Sequence, residues 1–192
     1  MKIYIEHMVS DRCKIAVNDV FKKQGLHINN LELGEIDIIE LISGEKYTEL
    51  KMSLQNLGFQ IIEDKRAILI ERIRNSVIEM IHHSDKTIKV NFSDYLSQHL
   101  NHNYTYMANV FSEAQGISIE QFIISHKIER IKELILYDEL NFTEIAHLMN
   151  YSSVAHLSGQ FKKYTGLTPS YFKKLKLKRL EPIEEIGAFK YY

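Results

Sequence analysis

The feature that most constrains this chain is an internal repeat. Slid against itself by 50 residues, the sequence brings Phe92 onto Phe142, Phe111 onto Phe161, Gly116 onto Gly166 and Phe122 onto Phe172, while Ile117 meets Leu167 and Ser118 meets Thr168. Self-similarity at a period of this size marks one supersecondary unit used twice. Asn103 and Ser153 stand at matching positions ahead of apolar-periodic stretches, where an Asn or Ser side chain caps the free N–H groups of a first helical turn. Gly116 and Gly166 close the same stretches, as glycine does when it takes up the left-handed conformation that ends a helix. Each copy is therefore predicted to be helix, turn, helix. Leu96 and Leu100 of the first copy answer to Ile145 and Met149 of the second at an offset of 49. One extra residue in the second turn restores the register, and Asn150 there tolerates positive φ.

Between the copies, Ser118 with Gln121 reads as a capping box, and Phe122, Ile128, Ile131 and Ile135 carry a helical period to about Asp138. A helix of about 20 residues is about 30 Å long. Phe111, Phe122, Phe161 and Phe172 are read as core, not as a binding surface.

The first 64 residues carry a different pattern. Residues 2–8 alternate β-formers with polar groups, and 11–25 place Ile15, Val17, Val20 and Phe21 at helical spacing before Gly25. Two period-2 runs, HINNLEL and EIDIIELI, meet at Gly34; a helical stretch over 45–56 ends at Gly58; FQIIED follows. The order β-α-β-β-α-β predicts a ferredoxin-like sandwich, both helices on one face of an antiparallel sheet. From Lys65 to His83, Ile70, Ile73, Val77 and Ile81 form one stripe of an amphipathic helix, predicted to link two domains, with helix-mediated dimerisation as the alternative to ordinary packing. The expected fold class is α+β, with this sandwich at 1–64, the linker helix at 65–83, an all-α double helix-turn-helix domain at 84–180 and a tail at 181–192 that gives no structural reading.

Charge separates the same parts. The net charge is −1, yet the first 64 residues hold 7 basic and 11 acidic groups and the rest 17 and 14. Residues 145–180 contain no acid but carry Lys162, Lys163, Lys173, Lys174, Lys176, Lys178 and Arg179, which points to a polyanionic partner. No apolar run is long enough to span a membrane and the opening residues are too charged for a signal peptide, so a cytoplasmic location without a membrane partner is expected. A single cysteine, Cys13, rules out an intrachain disulfide and a four-cysteine zinc site. There is no Gly-rich phosphate loop, nucleophile elbow or HExxH; Asp37 and Glu40 read as surface groups, and His82-His83 receive no function. The chain is not expected to be an enzyme or to carry a cofactor.

The run IAHLMNYSSVAHLSGQFKKYTGLTPSYFKK, residues 145–174, resembles the C-terminal DNA-binding region of AraC/XylS-type transcription regulators, and the likeness extends over about 90–174. Its most specific part is F-K-K-x-x-G-x-T-P-x-x-F, from Phe161 to Phe172, with Thr168 as cap and Pro169 in a first helical turn. The resemblance implies a sequence-specific regulator placing two recognition helices, about 103–114 and 153–164, in adjacent major-groove segments of double-stranded DNA. One helical turn of DNA, roughly 34 Å, is close to the length of the connecting helix. RNA polymerase and a second copy of the chain are the protein partners such an activator would have. Many relatives have an arginine in each recognition helix; here Asn109 and Gly159 stand instead, removing the strongest guanine reader. Helix geometry nominates Thr105, Ala108 and Asn109 in the first unit and Val154, Ala155, Ser158 and Gly159 in the second for base edges or thymine methyls, with Lys162, Lys163 and Lys173 for phosphates.

Residues 1–64 resemble a heavy-metal-associated domain, whose loop after the first strand reads Met-x-Cys-x-x-Cys; here it is Met8-Val9-Ser10-Asp11-Arg12-Cys13. With serine at the first thiolate position, Cys13 alone cannot hold Cu(I) between two sulfurs. A degenerate structural or protein-contact domain is the main expectation. The alternatives are a copper or zinc sensor or chaperone drawing a ligand from His7 or a second subunit, and thiol redox sensing at Cys13 beside Arg12. An alkyltransferase would need a zinc-held cysteine cluster that one cysteine cannot supply.

Overall fold

The computed structural model of the chain describes residues 1–83 and 91–175. Lys176, Lys178, Arg179 and the tail with Glu184, Glu185 and Tyr191-Tyr192 lie outside the described residues. The chain forms two compact units, Met1–Ser76 and Val77–Tyr192.

In the first unit the order is β1 (Lys2–Glu6), α1 (Asp11–Lys23), β2 (Ile28–Glu32), β3 (Glu35–Ile38), α2 (Gly44–Gln55) and β4 (Gln60–Ile62). The four strands lie in the order β2-β3-β1-β4, every pair antiparallel, with Ile3 opposite Ile36 and Ile5 opposite Ile61. Alternation along the strands sends Ile3, Ile5, Ile36, Ile38 and Ile61 to one face, where Val17, Val20 and Phe21 of α1 and Leu50 and Leu54 of α2 pack against them. Burying each such side chain stabilises the unit by about 1.5–3 kcal/mol.

Two expectations need correction here. Ile15 is 64% exposed. Val17, Val20 and Phe21 lie three and four residues apart on one face, whereas Ile15, two residues before Val17, points well away from it. The alternating run after Gly34 is strand only to Ile38, leaving Ile39 and Leu41 exposed. Beyond Ile38 the Ile39 N–H still donates to the His27 carbonyl at 3.0 Å, and the Glu40 carboxylate accepts from the His27 backbone N–H at 3.0 Å.

Helix α3 (Lys65–Ile78) is followed by a π-helical turn, Glu79–His83. The division between units falls at Ser76/Val77, inside the helix expected over 65–83. Two buried polar side chains hold α3 within the first unit: Glu71 accepts from the His7 N–H at 3.0 Å, and Asn75 Nδ2 donates to the Leu33 carbonyl at 3.1 Å. Burial pushes the Glu71 carboxyl up, against the opposing pull of Arg74. Asn75 presses on the β2–β3 turn so closely that Gly34, at φ +74°, has no room for a side chain.

The second unit is helical: α4 (Phe92–Leu100), α5 (Tyr104–Gln115), α6 (Ile119–Tyr137), α7 (Phe142–Leu148), α8 (Val154–Thr165) and α9 (Pro169–Leu175). The repeat is physical as well as textual. Phe111 meets Phe122 edge-on with ring centres 5.4 Å apart, and Phe161 meets Phe172 in the same way at 5.5 Å, all four rings buried. Asn103 Oδ1 accepts from the Thr105 N–H at 2.9 Å, Ser153 Oγ accepts from the His156 N–H at 3.1 Å, and the glycines that end both helices sit at φ +71° and +77°. The Ser118–Gln121 capping box forms in both directions. A left-handed residue follows the first helix of each copy, Asn101 directly after α4 and Asn150 one residue past the Met149 cap of α7, and the second copy has the shorter first helix and the longer turn.

Candidate nucleic-acid interface

Each second helix of the repeat buries one side and leaves the other bare. On α5, Met107, Val110 and Phe111 face inward. On α8, Leu157 and Phe161 do so. The structure brings Thr105 and Asn109 to the exposed face of α5, with Ala108 half-buried beside them. On α8 it exposes Val154, Ala155 and Gly159, half-buries Ser158, and carries Lys162 and Lys163 into solvent in the last turns. Lys173 and Lys174 are exposed on α9.

The charges of the two copies differ sharply. Carried through the 50-residue register, Lys162 and Lys163 correspond to Ser112 and Glu113. Helix α5 contains no lysine or arginine at all. The cationic surface among the described residues of these helices therefore belongs to α8 and α9. Lys173, nominated for a phosphate, is engaged within the molecule by an ion pair with Asp138, the left-handed residue that ends α6.

Between the copies lies an open groove of about 690 Å³, lined by Phe92, Tyr104, Glu120, Ile123, Ile124 and Asn150 among others. The Tyr104 hydroxyl donates to the Glu120 carboxylate. Burial acts to raise Glu120, but this hydrogen bond and those from its helix turn outweigh it and hold the carboxyl below its ordinary range. Along the same helix Lys127 is half-buried, and burial lowers it from 10.5 to about 8.

Cys13 Sγ lies 3.4 Å from Ser10 Oγ, and the His7 backbone N–H is taken by Glu71. No three His, Cys, Asp or Glu side chains group as ligands among the described residues. Asp37 accepts from Asn29 at 3.0 Å and Glu40 from His27, bonds that fasten the edge of the sheet. No helix among the described residues is long and apolar enough to cross a membrane.

Residues 96–175 match the family of helix-turn-helix domains. The HTH-type transcriptional regulator YtdP of Bacillus subtilis is 25% identical over 109 residues, 55% of this chain and 14% of that protein. The Msm operon regulatory protein of Streptococcus mutans is 25% identical over 135 residues, 70% of this chain and 47% of that protein. The chain thus spans less than half the length of either. Among solved structures, the C-terminal domain of AraT, a response regulator from Geobacillus stearothermophilus, superposes with a TM-score of 0.50 at 23% identity, covering 62% of this chain and 92% of that one, a likeness of fold.

Two exposed residues of the helix-turn-helix region went unremarked in the sequence reading. Tyr106 is 50% exposed, its ring 6.0 Å from His102. His156, its counterpart in the register, is exposed, with Nδ1 3.0 Å from Ser152 Oγ. Each directly follows a nominated position, Thr105 or Ala155, and the repeat offset was the signal that would have found both.

Proposed function

We propose that the chain is a transcription regulator of AraC type that binds duplex DNA through residues 96–175, presenting α5 and α8 to adjacent major-groove segments. The observation that carries this reading is the exposed face of α8, which runs from a capped N-terminus with small side chains to Lys162 and Lys163 at its far end. A recognition helix needs that order, base contacts from its first turns and phosphate contacts from its flanks. The match to helix-turn-helix domains and the regulators named above support it. Thr105, Ala108, Asn109, Val154, Ala155, Ser158 and Gly159 are the proposed base-facing positions, and Lys162, Lys163 and Lys173 the proposed phosphate contacts.

For the first unit we take the βαββαβ order and the β2-β3-β1-β4 sheet as support for a ferredoxin-like domain similar to heavy-metal-associated domains, serving protein contact or regulation. Nothing observed favours metal sensing. The test is duplex binding by the full chain across a series of salt concentrations. Log affinity should fall linearly with log salt, and Lys162→Ala should flatten the slope by about 0.9, the increment for one phosphate contact. A slope and affinity untouched by Lys162→Ala would remove that residue from the interface; an affinity indifferent to salt would remove the interface itself.

A further inference from the structure

We propose that the base pairs this chain reads are A·T pairs, with thymine methyl groups seated on Val154, Ala155 and Gly159 of α8 and an adenine edge read by Asn109 of α5. The inference rests on the DNA-binding reading above and adds the class of sequence recognised.

It begins from what the reading faces lack. In the major groove guanine presents two acceptors, N7 and O6, and the side chains that engage both are arginine and lysine. The face of α5 offers neither anywhere along the helix, and α8 offers lysine only from Lys162 onward, two turns beyond the N-terminal positions that reach base edges. Three of the residues exposed at those positions, Val154, Ala155 and Gly159, are apolar and small. Val154 is 37% exposed, and Ala155 and Gly159 are exposed beside it, a surface that fits a methyl group; the hydrogen-bonding groups among them, the half-buried Ser158 hydroxyl and His156, whose Nδ1 lies 3.0 Å from Ser152 Oγ, do not match both acceptors of a guanine as arginine does.

Gly159 sharpens the point. Glycine weakens a helix interior. Here no internal neighbour asks for it, because a Cβ built at Gly159 would meet nothing within 4 Å. The bare backbone faces outward, so its consequence is external: a partner can come closer to α8 at this position than any side chain would permit. On α5 the equivalent position is Asn109, exposed, whose amide can donate to adenine N7 and accept from N6 together. Thr105 and Ala108 flank it on the same side, Ala108 adding a methyl and Thr105 a methyl with a single hydroxyl that can serve any base.

The experiment is selection of bound duplexes from a random pool by the full chain, followed by affinity measurements on the enriched site. A·T pairs should be enriched in both segments. Replacing thymine by deoxyuridine in the α8 segment should weaken binding by about fourfold for each methyl removed. Asn109→Ala should relax the adenine preference at one position by about 5- to 150-fold. Gly159→Arg, whose side chain has open space, should keep the fold and move one position of the enriched site to guanine. A site specified by G·C pairs, or an affinity indifferent to deoxyuridine, overturns this inference and leaves DNA binding standing. Absence of any salt-dependent duplex binding overturns the functional reading and this inference together.

Discussion

Lys127 Nζ donates to the backbone carbonyl of Met149 at 2.8 Å, joining α6 to the turn that leads into α8. The same ammonium stands 5.3 Å from the ring centres of Phe92 and Tyr151. Burial lowers the folded-state pKa of Lys127 to about 8 from 10.5. Below pH 8 the group is charged in both folded and unfolded chains; between the two values the folded chain binds fewer protons. Stability should therefore rise with pH across that window. Denaturation at about pH 7.5 and about pH 9.5 measures the rise, which Lys127→Met should abolish. An equal rise in the variant would assign it to other groups.

The exchange of Lys162-Lys163 for Ser112-Glu113 across the repeat makes a gain-of-function prediction. Changing Ser112→Lys and Glu113→Lys together should raise duplex affinity and steepen the salt slope by about 0.9 for each new phosphate contact. An unaltered slope would mean that the far end of α5 stays clear of the backbone.

Asp138→Asn releases Lys173 from its ion pair and keeps a residue type that tolerates the left-handed φ of +59°. An exposed pair of this kind is worth about 0.2–1 kcal/mol, so freeing the lysine should tighten duplex binding by about 1.4- to 5-fold. Titration of one labelled duplex with both proteins decides it, and weaker binding by the variant would count against Lys173 as a phosphate contact.

Gly34→Ala should destabilise the first unit by about 1–3 kcal/mol. Two causes act together, the φ of +74° and an Asn75 Nδ2 that would lie 2.2 Å from the new Cβ. Urea denaturation with Asn75→Ala as a background separates them, since trimming Asn75 should recover only the steric part.

What the sequence disclosed was chiefly local. The caps at Asn103, Ser118 and Ser153, the left-handed turns at Gly116, Asn150 and Gly166 and the inward phenylalanines all follow from residue type at a fixed spacing, and the structure has each in place. Pairings far apart in the chain were out of reach. Nothing in the spacing says that β1 lies between β3 and β4, that Asn75 reaches back to Leu33 across 42 residues, or that Lys173 meets Asp138 across 35. Ile15 shows the converse, an apolar residue whose place outside the core is visible only once the packed side of α1 is known. For the candidate interface, helix phase was enough to choose the outward residues, whereas Lys127 is held by Met149 in the neighbouring turn and no local rule indicates it.

The one-sided distribution of lysines along the repeat also sets an order of events. Attraction to a polyanion acts at a distance and would bring α8 and α9 in first, wherever on a duplex the encounter occurs. Helix α5, without cations, would settle only after arrival and only where the exposed edges suit it. Travel along the polymer would then fall to the lysines of α8 and α9, and inspection of its text to α5 together with the first turns of α8.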